Sequence, residues 1–383
     1  MTDEMTKDKE TKPGAGGGRL ESLDVFRGAT IAAMMLVNNP GTWSSVYPQL
    51  RHAEWHGWTF TDLVFPFFLW IVGVAMTLSV AKRVARGESK SGLMFHALRR
   101  ALILFALGLF LAAFPYFDLS TLRIPGVLQR IAVCYLCATI IFLNTRVRGQ
   151  IAWTAGLLTV YWIAMKWIPV PGFGAGVLEK EGNFAQFVDS LFLRGHMWSA
   201  TKTWDPEGIV STIPAIGTTL LGILTGHILR ARWSPEEKTA WMYTMGSLLT
   251  LAGLVAGIWL PINKNLWTSS YTLFMAGMAA ITFAFCYWLN DVKGYRRWSR
   301  PFAIYGMNAI AVYFLAGVVA RLSMMIEIPA ADGIVSLRDY IYQTVFQPLA
   351  SPLNASMLHG IAFSLLMYLV AYLMYRRKWF IKI

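Results

Sequence analysis

Charge is what this sequence has least of. Only 14% of its 383 residues are Asp, Glu, Lys or Arg, roughly half the share usual for a soluble domain. A soluble chain of this length would need more charge to cover its outside, so the composition argues against an ordinary soluble enzyme. Cysteine is also scarce. Cys134, Cys137 and Cys286 all fall inside apolar runs, so no disulfide framework is implied. Cys134 and Cys137 form a C-x-x-C, which elsewhere suggests redox chemistry or metal. On a lipid-embedded helix the pair reads as small apolar side chains. There is no Gly-rich phosphate loop, no G-x-S-x-G and no visible internal repeat. Residues 1–19 lack the apolar core of a signal peptide and read as a disordered cytoplasmic tail.

What fills the chain is apolar. Hydrophobic residues make up 56% and aromatics 14%, and mean hydropathy is +0.47. Runs long enough to cross a bilayer recur at about 22–39, 62–81, 99–116, 124–143, 151–168, 211–230, 240–259, 267–290, 301–321 and 356–375. The expectation is an all-α polytopic membrane protein of about ten transmembrane helices, with residues 20–383 as one domain. The first span is the weakest, because Asp24 and Arg27 stand in its first turns. The net charge of +13 comes from cations at the ends of apolar runs, so the positive-inside rule accounts for it better than nucleic acid does. The tail through Arg27, the segments 82–100, 144–150, 230–238 and 291–300, and the C-terminal 376–382 hold 24 of the 34 Lys and Arg. Both termini are therefore expected in the cytoplasm. The opposite face then carries the long loops 40–61, 169–210 and 322–355, and loops of that length are often functional.

Ionisable or strongly polar residues near a bilayer are costly and mark sites by default. Asn38 ends the first span. His52 and His56 follow, four residues apart, and would share a face if that segment were helical. A zinc protease would require H-E-x-x-H; here Glu54 is misplaced, and no metal is expected. A single His suits proton transfer near neutral pH. Asp62 or Glu54 could orient the ring, although Asp62 could equally be a helix cap. Arg123, Gln129 and Arg130 lie where the fourth span begins, and the two arginines could clamp phosphates or a carboxylate or snorkel to the interface. Asp205 and Glu207 open the sixth span, Asn263, Lys264 and Asn265 link the seventh and eighth, and Asn308 lies in the ninth. Together they suggest a polar cavity. His96, His196, His227 and His359 read as solvated or interfacial imidazoles.

These same stretches resemble one family. LDVFRG (23–28), LVNNPG (36–41), HAEWHGWTFTDLVFPFFLWIVG (52–73), RIPGVLQRIAVCY (123–135), DPEGIVSTI (205–213), GILTGHIL (222–229), PINKNLWTSSY (261–271), YGMNAIAVY (305–313) and YRRKWFIKI (375–383) are similar, in order, to transmembrane acetyltransferases of the heparan-α-glucosaminide N-acetyltransferase type. The resemblance runs from about residue 20 to the C-terminus and includes bacterial members. It implies acetyl-CoA as cytosolic co-substrate, an amino-sugar acceptor on the other side of the membrane, a homodimer and a bacterial inner membrane.

It further implies a catalytic His at His52 and an Asn at Asn38, with Asn39 beside it. His52 would act as general base or carry acetyl as acetyl-imidazole, with Asp62 orienting it and Asn38 stabilising an oxyanion or positioning the acceptor. Asp205 and Glu207 would meet the acceptor's ammonium, with Asn263, Lys264, Asn265 and Asn308 lining the substrate cavity. Gln129, Arg123 and Arg130 are the cofactor candidates, and Arg99, Arg100 and Arg297 could meet CoA's phosphates. The alternative is an amino-sugar transporter without acyl-transfer chemistry.

Overall fold

The computed structural model describes residues 20–330 and 333–381. The expected N-terminal tail lies outside the described residues. The chain is mostly helical. In order the helices are α1 (Glu21–Asn38), α2 (Phe60–Val84), α3 (Lys90–Ala113), α4 (Val127–Asn144), α5 (Val147–Trp167), α6 (Phe184–Phe192), α7 (Ile209–Arg230), α8 (Pro235–Ala256), α9 (Ser269–Tyr287), α10 (Arg300–Met307), α11 (Ala309–Met325), α12 (Leu337–Ile341) and α13 (Pro352–Arg376). An antiparallel hairpin, β1 (Glu327–Ala330) with β2 (Gly333–Ser336), lies between α11 and α12. The all-α expectation is corrected to that extent.

Each of the ten apolar runs is helical over most of its length. Seven helices among the described residues are long and apolar enough to cross a membrane, or eight if the bent pair α10 and α11 is one span. α1 and α5 are not in that set; α1 carries Glu21, Asp24 and Arg27. The run at 301–321 is not one straight helix. It bends by 79° at Asn308, whose amide donates to the Trp379 carbonyl at 3.0 Å and whose oxygen accepts from the Ile381 N–H at 3.0 Å. The C-terminal segment is thereby bonded to the break.

Helix starts follow local chemistry. Ser234 and Glu237 form a reciprocal capping box at α8, with Pro235 in its first turn; this satisfies N–H groups that a helix start leaves open. α2 begins the same way, with Thr59 and Asp62. α2 and α7 lie side by side at the centre. A Cβ added to Gly73 would sit 2.0 Å from the Thr219 carbonyl oxygen, and one on Gly222 2.1 Å from that of Trp70. Only glycine lets two helix backbones come this close. That contact fixes α2, and therefore Asp62, relative to the start of α7, where Glu207 lies.

Candidate active site

His52 lies in the irregular segment between α1 and α2. The condition for His52 and His56 to share a helical face is not met: residues 51–59 form bends and irregular backbone rather than a helix, and the two rings go to different partners. His56 Nδ1 is 3.3 Å from the Asn263 amide nitrogen. His52 Nδ1 is 2.6 Å from Asp62 Oδ1.

Asp62 has both of the roles its position allows. Its Oδ2 accepts from the Thr59 N–H at 3.0 Å, the Thr59 hydroxyl at 3.1 Å and the Ala53 N–H at 3.0 Å. Those bonds cap α2 and pin the His52 segment to it. The other oxygen orients the imidazole. Its side chain is 1% accessible against 44% for His52, so a fixed carboxylate holds a reachable ring. An ionised carboxylate only accepts, so His52 Nδ1 carries the hydrogen and Nε2 keeps the lone pair.

Lys264 completes this group. Its Nζ is 3.2 Å from His52 Nε2 and 3.4 Å from Nδ1. The turn that carries it is stiff, because Asn263 Oδ1 accepts from the Leu266 N–H at 2.9 Å. Asn265 is half-buried in the same turn. Partial withdrawal from water and the Lys264 charge hold the His52 pKa below its ordinary value, against the opposing pull of Asp62. Burial lowers the Lys264 pKa too, against Glu207 and Asp62.

Asp205 and Glu207 are already paired. Arg123 donates to Asp205 at 2.8 and 2.6 Å and to Glu207 at 2.6 Å. Both carboxylates are nearly inaccessible, at 0% and 7%. Burial would raise the Glu207 pKa, but Arg123, Arg130 and Lys264 outweigh it and hold it low. The same carboxylates hold the Arg123 guanidinium above its usual range despite burial. Arg130 lies deeper, in α4. It bonds the Gly208 carbonyl at 3.2 Å and the Ser211 hydroxyl, and stands 5.0 Å over the Trp267 ring. Snorkelling is therefore not its role. Three cations, Arg123, Arg130 and Lys264, face three anions, Asp62, Asp205 and Glu207. The expected free acidic pair for an ammonium is thus neutralised from within.

Two cavities enter from opposite ends. The first, of about 670 Å³, is lined by Asn38, Asn39, Arg123, Gln129, Trp198 and Arg321 among others. Asn38 is exposed there, whereas the Asn39 amide is folded back on the Met35 carbonyl at 2.8 Å. The second, of about 500 Å³, is basic: Arg27, Lys82, Arg83, Arg86, His96 and Arg100 line it, with Ile381. Lys82 is twenty residues from Asp62 along α2, about 30 Å at the helical rise. Between the cavities lies an apolar waist of about 10 Å³. It shares Phe68, Ile131 and Ile310 with the basic cavity, and Val127, Leu128 and Tyr313 with the other.

Most of the expected residues thus gather at one end. Asn308 does not join them. Gly306, two residues before it, packs on Asp24, at the far end of α1 from Asn38. Arg100 lines the basic cavity, and Arg99 and Arg297 are not among its lining residues. His196, His227 and His359 are bonded to Leu122 O, Gln150 Oε1 and Asn39 O. Several residues had no signal in the sequence. Tyr271 donates to the Asp62 carbonyl at 2.6 Å. Asp189 accepts from the Ile209 N–H at 2.9 Å and so helps start α7; burial pushes its pKa up to about 6. Lys82, Arg83 and Arg86, which the positive-inside rule explains by orientation alone, line the basic cavity.

Comparison with known proteins places the chain in a family. A family model described as heparan-alpha-glucosaminide N-acetyltransferase, catalytic, matches residues 19–259. The heparan-alpha-glucosaminide N-acetyltransferase of Homo sapiens is 31% identical over 352 residues, covering 77% of this chain and 52% of the relative. That of Mus musculus is 30% identical over 357 residues, covering 78% and 53%. The chain therefore spans about half the length of the curated relatives it matches. The family match includes His52, Asp62, Arg123 and Asp205 and ends before the Lys264 turn.

Proposed function

Because the chain belongs to the heparan-α-glucosaminide N-acetyltransferase family, and because its buried charges converge on one imidazole, we propose that it is a transmembrane N-acetyltransferase. It moves acetyl from acetyl-CoA on the cytoplasmic side to the amine of a glucosamine-type sugar on the other. The reading includes ten spans, cytoplasmic termini, a bacterial inner membrane and a homodimer; mass measurement in nanodiscs tests the last. The observation that carries it is the pair of cavities, one basic and one beside the charged cluster, that meet at the waist.

The basic cavity fits a CoA phosphate group. Several of its cations come from three helices, and Arg100 Nε is buried with no hydrogen-bond partner among the described residues, with the guanidinium 4.8 Å over Tyr135. Acetyl-CoA, when bound, supplies the thioester. The waist must widen for its arm, which requires Phe68, Ile310 or Tyr313 to move. At the other end His52 Nε2 accepts the proton that the sugar amine sheds, and Asp62 stabilises the resulting cation through Nδ1–H. A base serves best with a pKa near the working pH, and the lowered His52 pKa keeps the ring neutral at pH 7. Carrying acetyl on the ring would use the same nitrogen. Asn38, open to the cavity, supplies a donor for the oxyanion.

The test is reconstitution. Labelled acetyl-CoA and a panel of amino sugars should give N-acetylated sugar and one free CoA per product. Sugar accumulation in proteoliposomes without acetylation would overturn the reading in favour of transport. A second expectation concerns pH. Activity requires neutral His52, and Lys264 favours that form. Lys264→Met removes the cation, so the His52 pKa rises and the acidic limb of the kcat/KM profile moves to higher pH. An unmoved limb would show that the two side chains do not interact during turnover.

A further inference from the structure

Lys264 places a primary amine where the acceptor amine has to be. Its Nζ is within hydrogen-bond distance of His52 Nε2, the nitrogen that must take the acceptor's proton. No carboxylate lies within ion-pair distance of it among the described residues, although Glu207 and Asp62 are near enough to influence it. Its hydrogen-bond partner is His52 Nε2 at 3.2 Å; Nδ1, 3.4 Å away, directs its own hydrogen at Asp62. The Asn263–Leu266 bond fixes the backbone that carries it, and its side chain is only partly exposed. N-acetylation needs a neutral amine, and burial disfavours the ammonium of this lysine. Nothing in the transfer step as described above requires a second amine at that position.

We propose that, when no sugar amine is present, the protein acetylates Lys264 Nζ, and that this modification shuts the site. The inference rests on the acetyl-transfer reading above. In the step, neutral Nζ attacks the thioester carbonyl of acetyl-CoA. The N–C bond forms and the C–S bond breaks. The proton shed by Nζ passes to His52 Nε2 and from there to the departing sulfur, leaving CoA as the free thiol. No oxidant or reductant is needed. The product is an amide, which neither hydrolyses readily nor passes acetyl on. It also removes one cation from the cluster, leaving three anions with two cations, and fills the space before Nε2. A bound sugar amine competes for that space, so acceptor protects the lysine.

The experiment uses the full chain in nanodiscs with labelled acetyl-CoA and no acceptor, followed by peptide mass analysis. The expected result is stoichiometric acetyl on Lys264, resistant to hydroxylamine, with sugar turnover lost in proportion. Resistance separates the amide from acetyl-imidazole, which hydroxylamine cleaves. Glucosamine present throughout should suppress the label, and His52→Ala should abolish it; size exclusion checks that this variant stays folded. Unlabelled Lys264 in protein that turns over amino sugars would overturn the inference alone. Equal labelling in His52→Ala, or with glucosamine present, would overturn it too, as unassisted chemistry. Failure to acetylate any amino sugar would instead count against the function itself.

Discussion

Replacing His52 with alanine is expected to slow acetyl transfer by about 10²–10⁴-fold, the usual contribution of a positioned base, while the fold survives. The fold should hold because Asp62 keeps its bonds to Thr59 and Ala53 and still caps α2. His56→Ala should keep substantial activity, since its ring meets Asn263 rather than a carboxylate. The wild-type rate should fall as pH drops through the His52 pKa. Burial and Lys264 set that value below the ordinary 6.5, so the loss belongs to the region under pH 6.5. Free-CoA release measured across pH, with thermal melting alongside, checks each point. A wild-type rate in folded His52→Ala would remove the imidazole from the reaction.

Arg123→Met should have the largest effect on stability. The substitution leaves Asp205 and Glu207 buried without their shared partner, and breaking a buried pair from one side costs about 3–5 kcal/mol. The damage should spread to the site, because Glu207 also acts on His52 and Lys264. Melting in nanodiscs should show a large drop. Adding Glu207→Gln to Arg123→Met should recover part of it, since one orphaned charge is then gone. A double variant no more stable than Arg123→Met would mean that the ion cluster contributes nothing beyond packing.

The helices were largely legible in the sequence, because most of them carry their own apolar length; α1 and α5 are the exceptions, outside the set apolar enough to cross a membrane. The bend at Asn308 was not, since its cause is a pair of bonds to residues more than seventy positions away. The same division holds at the site. Thr59 and Asp62 are three residues apart, so the cap can be read locally, and the local segment also brings His52 within reach of the carboxylate. Asp205 and Glu207 looked like free acids because Arg123 is 82 and 84 residues distant. The basic cavity was hidden for another reason. Lys82, Arg83 and Arg86 were already explained by membrane orientation, and a residue with one sufficient explanation does not suggest a second. Lys264 was expected in a polar cavity, but its approach to the imidazole follows from the turn that Asn263 closes.

The waist has a consequence for the membrane as an insulator. A helical bundle hollowed from both ends leaves only a thin septum to hold the transmembrane voltage, and water or ions threading it would short-circuit the bilayer. Ile31, Met34, Phe68, Val127, Leu128, Ile131, Ile310 and Tyr313 line that septum, and none carries a charge. A constriction this apolar stays dry and resists conduction. On the proposed reading, with the two cavities entered from opposite faces of the membrane, the voltage falls mostly across this collar, and whatever passes through it without carrying charge does no electrical work.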